Sequence, residues 1–198
     1  MIDRGVLEII PSLAAATAAG LTILWEGKVR ALAALLALYL VVAWVISTTT
    51  PLPIALGRLV VGVAVVYILA RAGPRSPVPS DKGEPAPVGL GFRAAAILLI
   101  LIPVSGVWGL GVLATLPTTT ASGLGSLWVM GLGALHVGLS SGTGPRIIGL
   151  LTLLLGFEMI YISLEPSLAL TALLAAVHLG LAVFSVYLLS LATREGAA

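Results

Sequence analysis

The chain has no cysteine among its 198 residues. Disulfides, cysteine-ligated zinc, iron–sulfur clusters and thiol nucleophiles are therefore excluded. Charge is equally scarce. Asp, Glu, Lys and Arg make up 9% of the chain, where a soluble domain usually carries about 25%. Aromatic residues reach 6%, while apolar residues reach 59% and the mean hydropathy is +1.16. A chain this apolar would present too much greasy surface to water, so lipid is its natural solvent. The net charge of +2 gives no sign of a nucleic-acid partner. The N-terminus lacks a clear signal-peptide pattern, and Glu8 and Pro11 interrupt its first apolar run, which reads as a retained helix.

Seven apolar runs can be marked, at about 6–25, 31–47, 54–70, 94–116, 126–141, 147–164 and 167–192, the fifth with an alternative start nearer Ala121. A helix needs about 20 residues to cross ~30 Å of hydrocarbon. The runs are continuously apolar, without the polar alternation of a barrel strand, which predicts an all-α polytopic bundle of about seven transmembrane helices. Most connections are tight and carry proline: Pro51, Pro53, Pro117, Pro145 and Pro166 all fall at breaks. Residues 71–93 are richer in Pro, Gly and charge and read as a solvated strap. It divides a three-helix segment, 1–70, from a four-helix segment, 94–198.

Charge placement tests that count. With seven spans, one side holds Lys28, Arg30, Arg71, Arg75, Lys82, Arg93, Arg146 and Arg194, and the other holds Arg4. The positive-inside rule then predicts N-terminus out and C-terminus in. Dropping a span would scramble the asymmetry.

Ionisable groups within apolar spans cost roughly 2.5–3.5 kcal/mol at mid-helix and are the first places to seek function. Glu158 lies twelve residues after Arg146, about 18 Å along a helix and so near mid-bilayer. No basic residue lies within a turn of it in sequence, and a buried carboxyl lacking a cation tends to stay protonated. Tyr161, at i+3, shares its face. Glu158 reads either as a proton carrier or as a neutral hydrogen-bonding group between helices. His178 lies near the middle of the last span, flanked by Thr171 and Ser185 at seven-residue spacing. The two spans form a hairpin turning at Glu165–Pro166, so Glu158 and His178 could face each other and pass a proton through one or two waters. Alternatively, His178 is a neutral histidine donating to a backbone carbonyl. His136 reads first as a satisfied core histidine, with extension of the relay as the other option. Arg58, about one turn inside the third span, reads first as a residue snorkelling to the outer interface, and otherwise as the cation an intramembrane carboxylate requires.

Other signals carry no chemistry. The Gly-Leu-Gly triplets at 109–111, 123–125 and 131–133 lack the strand and the Lys-Ser/Thr of a phosphate loop, so close helix packing explains them better. No metal-ligand spacing, no quinone or haem motif and no nucleophile–base set is present, so the expectation is a non-enzyme without a cofactor of its own.

The C-terminal third, PRIIGLLTLLLGFEMIYISL followed by LALTALLAAVHLGLAVFSVYL, resembles the small K-type (4L) membrane subunit of respiratory complex I and the C-type subunit of multisubunit sodium/proton antiporters. Arg146, Gly156, Glu158 and Met159 match that family's basic residue and mid-helix Gly-x-Glu-hydrophobic setting. His178 falls where the family has its second carboxylate, a departure that changes the charge logic. Seven spans, a Pro-rich linker after the third and a basic residue in the third, here Arg58, are similar to the E component of membrane-bound hydrogenase assemblies. The stronger part covers about residues 126–192. The resemblance implies a non-catalytic proton-translocating or coupling subunit in a prokaryotic cytoplasmic membrane, with antiporter-like large subunits as partners and the redox chemistry in other chains. Glu158 and His178 would be its relay, with Arg58, His136 and Tyr161 as possible tuning groups. The alternative is a standalone small transporter or a structural membrane protein.

Overall fold

A computed structural model describes residues 4–25, 27–48, 50–72, 89–111, 120–165 and 167–195. Seven helices account for nearly all of them: α1 (Arg4–Leu24), α2 (Lys28–Ser47), α3 (Leu52–Arg71), α4 (Leu90–Gly109), α5 (Thr120–Leu139), α6 (Thr143–Leu164) and α7 (Leu168–Glu195). No strand occurs among the described residues. Six of these helices, α2 to α7, are long and apolar enough to cross a membrane; in α1 the corresponding apolar stretch is Ile9–Leu24. The protein is an all-α bundle of membrane character.

Helix edges differ from the apolar runs where polar residues are tolerated in helices. α4 starts at Leu90, so Phe92 and Arg93, expected in the strap, are helical. An arginine at a helix end can stay helical while its head group finds a polar partner, and Arg93 donates to Ile23 O at 3.2 Å. The strap's middle, 73–88, lies outside the described residues. α4 closes at Gly109, and Gly111 follows with φ 68°, a left-handed turn that stops a helix cheaply. α5 starts at Thr120, beside the alternative start near Ala121.

Packing is led by glycine. α5 and α6 lie antiparallel in close contact. A Cβ on Gly156 would meet Met130 N at 2.5 Å and Ser126 O at 2.8 Å. One on Gly149 would meet Val137 N at 2.7 Å, and one on Gly133 would meet Leu153 Cα at 2.6 Å. Without side chains at these points the two backbones approach closely, which is how helices associate when water supplies no hydrophobic drive. Two of the Gly-Leu-Gly triplets have this role, since a Cβ on Gly125 would meet Ser12 Cα of α1 at 3.3 Å and one on Gly131 would meet Ile100 of α4.

Around the α5–α6 pair, α1 packs on α5 and α2, and α2 packs on α3 and α6. α7 closes the circuit against α3 and α6. The helices of the 1–70 and 94–198 segments therefore interleave in one bundle. α4 stands at the edge against α5 and α1, with none of its side chains buried.

The end where α1, α3 and α5 finish is the basic end, and its cations act as caps. Lys28 Nζ donates to Ala70 O at 3.1 Å and to Ala72 O at the end of α3. Arg93 serves α1 through Ile23 O, and Arg146 Nε serves α5 through Ser140 O at 3.1 Å. Helix C-termini leave carbonyls unpaired and carry partial negative charge, so a cation there is favourable on both counts.

Candidate functional site

Four neighbouring helices each place one polar side chain at a common point inside the bundle. α2 supplies Tyr39, α3 Arg58, α6 Glu158 and α7 His178, and all four are 0% exposed. Arg58 Nη2 and Glu158 Oε1 form an ion pair. Glu158 Oε2 lies 3.9 Å from His178 Nε2. The Tyr39 ring packs edge-on to the His178 ring, with centroids 5.9 Å apart and planes at 66°.

Gly62, four residues after Arg58, makes room for Tyr39. A Cβ there would meet Tyr39 Cδ1 at 2.6 Å and Cβ at 2.7 Å. The missing side chain on α3 thus lets the phenol lie against the helix that carries the arginine.

The cluster sits toward the end opposite the basic one. Arg58 is six residues from the start of α3 and Glu158 six from the end of α6, ~9 Å at ~1.5 Å per residue. Tyr39 is eight residues from the end of α2 and His178 ten from the start of α7, ~12 and ~15 Å. Glu158 is therefore nearer that end than the mid-bilayer depth expected from Arg146.

Two readings from sequence change. Arg58 does not snorkel, because α2 and α7 enclose α3 on the side where its side chain lies, leaving it no exposure. Glu158 is not a carboxyl without a cation, because its partner comes from another helix, 100 positions away in the chain.

Hydrogen-bond geometry fixes the tautomer of His178. Its Nδ1 lies 2.9 Å from Leu174 O, and a carbonyl can act there solely as acceptor, so Nδ1 carries the proton. In the neutral ring, Nε2 is then an acceptor facing a carboxylate oxygen. Neither Nε2 nor Tyr39 Oη has a hydrogen-bond partner among the described residues. Arg58 Nε and Nη1 are also without one, so the cluster holds unused donors and acceptors together.

His136 stands elsewhere. It is three residues from the end of α5, near the basic end. Thr22 Oγ1 donates to Ala19 O at 2.7 Å, so it accepts from His136 Nδ1, 3.1 Å away. The imidazole borders a cavity of about 420 Å³ also lined by Lys28, Arg93 and Ser140. Tyr161 packs on Phe157, ring centroids 5.6 Å apart. The role of Tyr39 is not legible in the sequence, because a tyrosine within LALYLVVAW reads as one more core aromatic. Its hydroxyl in an otherwise apolar stretch was the available signal.

No family model, no curated protein and no solved structure matches the chain.

Proposed function

We propose that the chain is a non-catalytic proton-translocating or coupling membrane subunit whose working centre is the Arg58–Glu158–His178–Tyr39 cluster. The observation that carries this reading is the convergence of four helices on one buried ion pair with an imidazole 3.9 Å away. With His178 neutral, a lone pair faces a lone pair across that gap. One added proton, on Nε2 or on Oε2, turns the opposition into a hydrogen bond after a movement of about 1 Å, since such bonds span ~2.7–3.2 Å. Arg58 balances the carboxylate before the proton arrives, and with the proton on either atom the cluster carries one net positive charge. The proton can leave either atom, so the pair can accept, hold and release it. Tyr39, both donor and acceptor, is placed to bridge to a bound water.

The resemblance of residues 126–192 to K-type and antiporter C-type subunits supports a place in a complex I-like, hydrogenase-like or antiporter-like assembly of a prokaryotic cytoplasmic membrane. The exposed face of α4, with Leu98, Leu99 and Ile102, offers a side for large membrane partners. A second reading rests on the complete burial of the four residues: a charge-balanced pair can simply tie α3 to α6 in a structural membrane protein.

His178→Gln separates the two. It keeps a hydrogen-bonding side chain and leaves the Arg58–Glu158 pair whole, but removes the exchanging ring nitrogen. Proton movement in reconstituted vesicles should fall strongly with assembly intact. Unchanged movement would leave the chain a scaffold.

A further inference from the structure

The cavity at the basic end lies in register with the buried cluster. On α3, Arg58 belongs to the cluster and Leu69, eleven residues on, lines the cavity. On α7, His178 belongs to the cluster and Leu189, also eleven residues on, lines the cavity. α2 repeats the relation in reverse, from Tyr39 back to Leu32, and α6 from Glu158 back to Ile148. Four helices thus carry one continuous inward face from cavity to cluster. Eleven residues correspond to ~16 Å at ~1.5 Å per residue.

That interval is apolar on α2 and α3, whereas α6 also carries Thr152, buried at 0%, whose hydroxyl donates to its own helix at Ile148 O, 2.8 Å away. α2 fills it with Leu35, α3 with Val65, and α6 with Leu151 and Leu155, all at 1% exposure or less. α7 places a hydroxyl on this inward face at Ser185, which is buried at 0%. Ser185 lies seven residues from His178 and four from Leu189, ~10 Å below the imidazole and ~6 Å above the cavity lining. Its Oγ donates to Leu181 O at 2.5 Å, leaving its lone pairs as acceptors.

We infer that the cavity between Lys28, Arg93 and His136 is the access vestibule through which protons from the basic face reach the Glu158–His178 pair, with Ser185 as the polar step across a gated apolar plug. This rests on the relay reading and adds its route and side. The vestibule holds polar groups enough to keep water: Ser140, Ser141, Thr22 and His136 line it. The plug of Leu35, Val65 and Leu151 holds no such groups, so water crosses it transiently and the path conducts on opening. A closed apolar constriction of this kind prevents a leak while the pair is charged.

The absence of cysteine makes the test direct. Single cysteines are placed at Leu189, Ser185, Ala182 and, on the outward face of α7, Phe184, in the full chain within its native membrane. A charged, membrane-impermeant thiosulfonate is then applied from each side. Reaction from the basic side should be fastest for Leu189→Cys, slower for Ser185→Cys and slowest for Ala182→Cys. Phe184→Cys, 54% exposed on the bundle's outer surface, should not react. An inert Ser185→Cys, or one reached from the opposite side alone, overturns the route. In a second arm, Ser185→Ala should slow proton uptake from the basic face roughly tenfold, the equivalent of about 1.4 kcal/mol. Ser185→Thr should restore it. Uptake unchanged in Ser185→Ala removes Ser185 from the path. The labelling gradient is read without proton movement, so failure of the route and failure of the relay give different results.

Discussion

Neutralising one member of the Arg58–Glu158 pair should cost more than neutralising both. Each is 0% exposed, and each is the other's counter-charge. Arg58→Met strands a carboxylate among four apolar helices, and Glu158→Gln strands a guanidinium. Removing one partner of a buried pair typically costs ~3–5 kcal/mol, whereas replacing both by neutral groups of similar volume is often neutral or stabilising. At roughly 2–4 °C per kcal/mol for a chain of this size, each single variant should melt about 6–20 °C below the parent. The double variant should recover most of that loss. The assay is unfolding of the purified protein in mixed micelles, by temperature or by a titrated denaturing detergent, analysed as a double-mutant cycle. The coupling should reach about 3 kcal/mol, well above the ~0.2–1 kcal/mol of exposed pairs. Additive single effects, with coupling under ~1 kcal/mol, would refute the pairing. The result bears on function too. Loss of proton movement in Glu158→Gln alone mixes chemistry with an orphaned arginine, which is why His178→Gln is the sharper probe.

Tyr39→Phe removes a buried hydroxyl without a partner among the described residues, so thermal stability should hold or rise by up to about 1–3 kcal/mol; a clear drop would show an engaged hydroxyl. Gly62→Ala drives a Cβ into the Tyr39 ring and should cost roughly 1–3 kcal/mol, read by the same melt; an unchanged midpoint would contradict the close approach. Thr22→Val takes the acceptor from His136 and should cost about 0.6 kcal/mol, at most ~1.7, read by the same melt; an unchanged midpoint would contradict the Thr22–His136 hydrogen bond. A topology reporter fused after Arg194 should read cytoplasmic and one at the N-terminus external; both ends on one side would overturn the orientation drawn from the basic residues.

What the sequence settled by itself lies along the helix axes. Runs of apolar residues, broken by prolines and short polar turns, mark where helices begin and end, because a span's length follows from the thickness of the lipid core. The basic residues mark one end because charged groups avoid that core, and the same avoidance makes Glu158, Arg58, His136 and His178 stand out. Rotation about those axes was not legible. An amphipathic helix announces its buried face, but helices α2, α3 and α6 are apolar all round, so their composition does not say which side meets a neighbour. The tertiary structure decided that through close backbone contacts at Gly133, Gly149 and Gly156 and the seat of the Tyr39 side chain at Gly62, which fix the faces presented by α3, α5 and α6. From those rotations follow the pairing of Arg58 with Glu158, the arrival of Tyr39 beside His178, and the placement of His136 against Thr22 and of Tyr161 against Phe157. A charge's depth is set by its own helix, whereas its partner is set by how other helices turn.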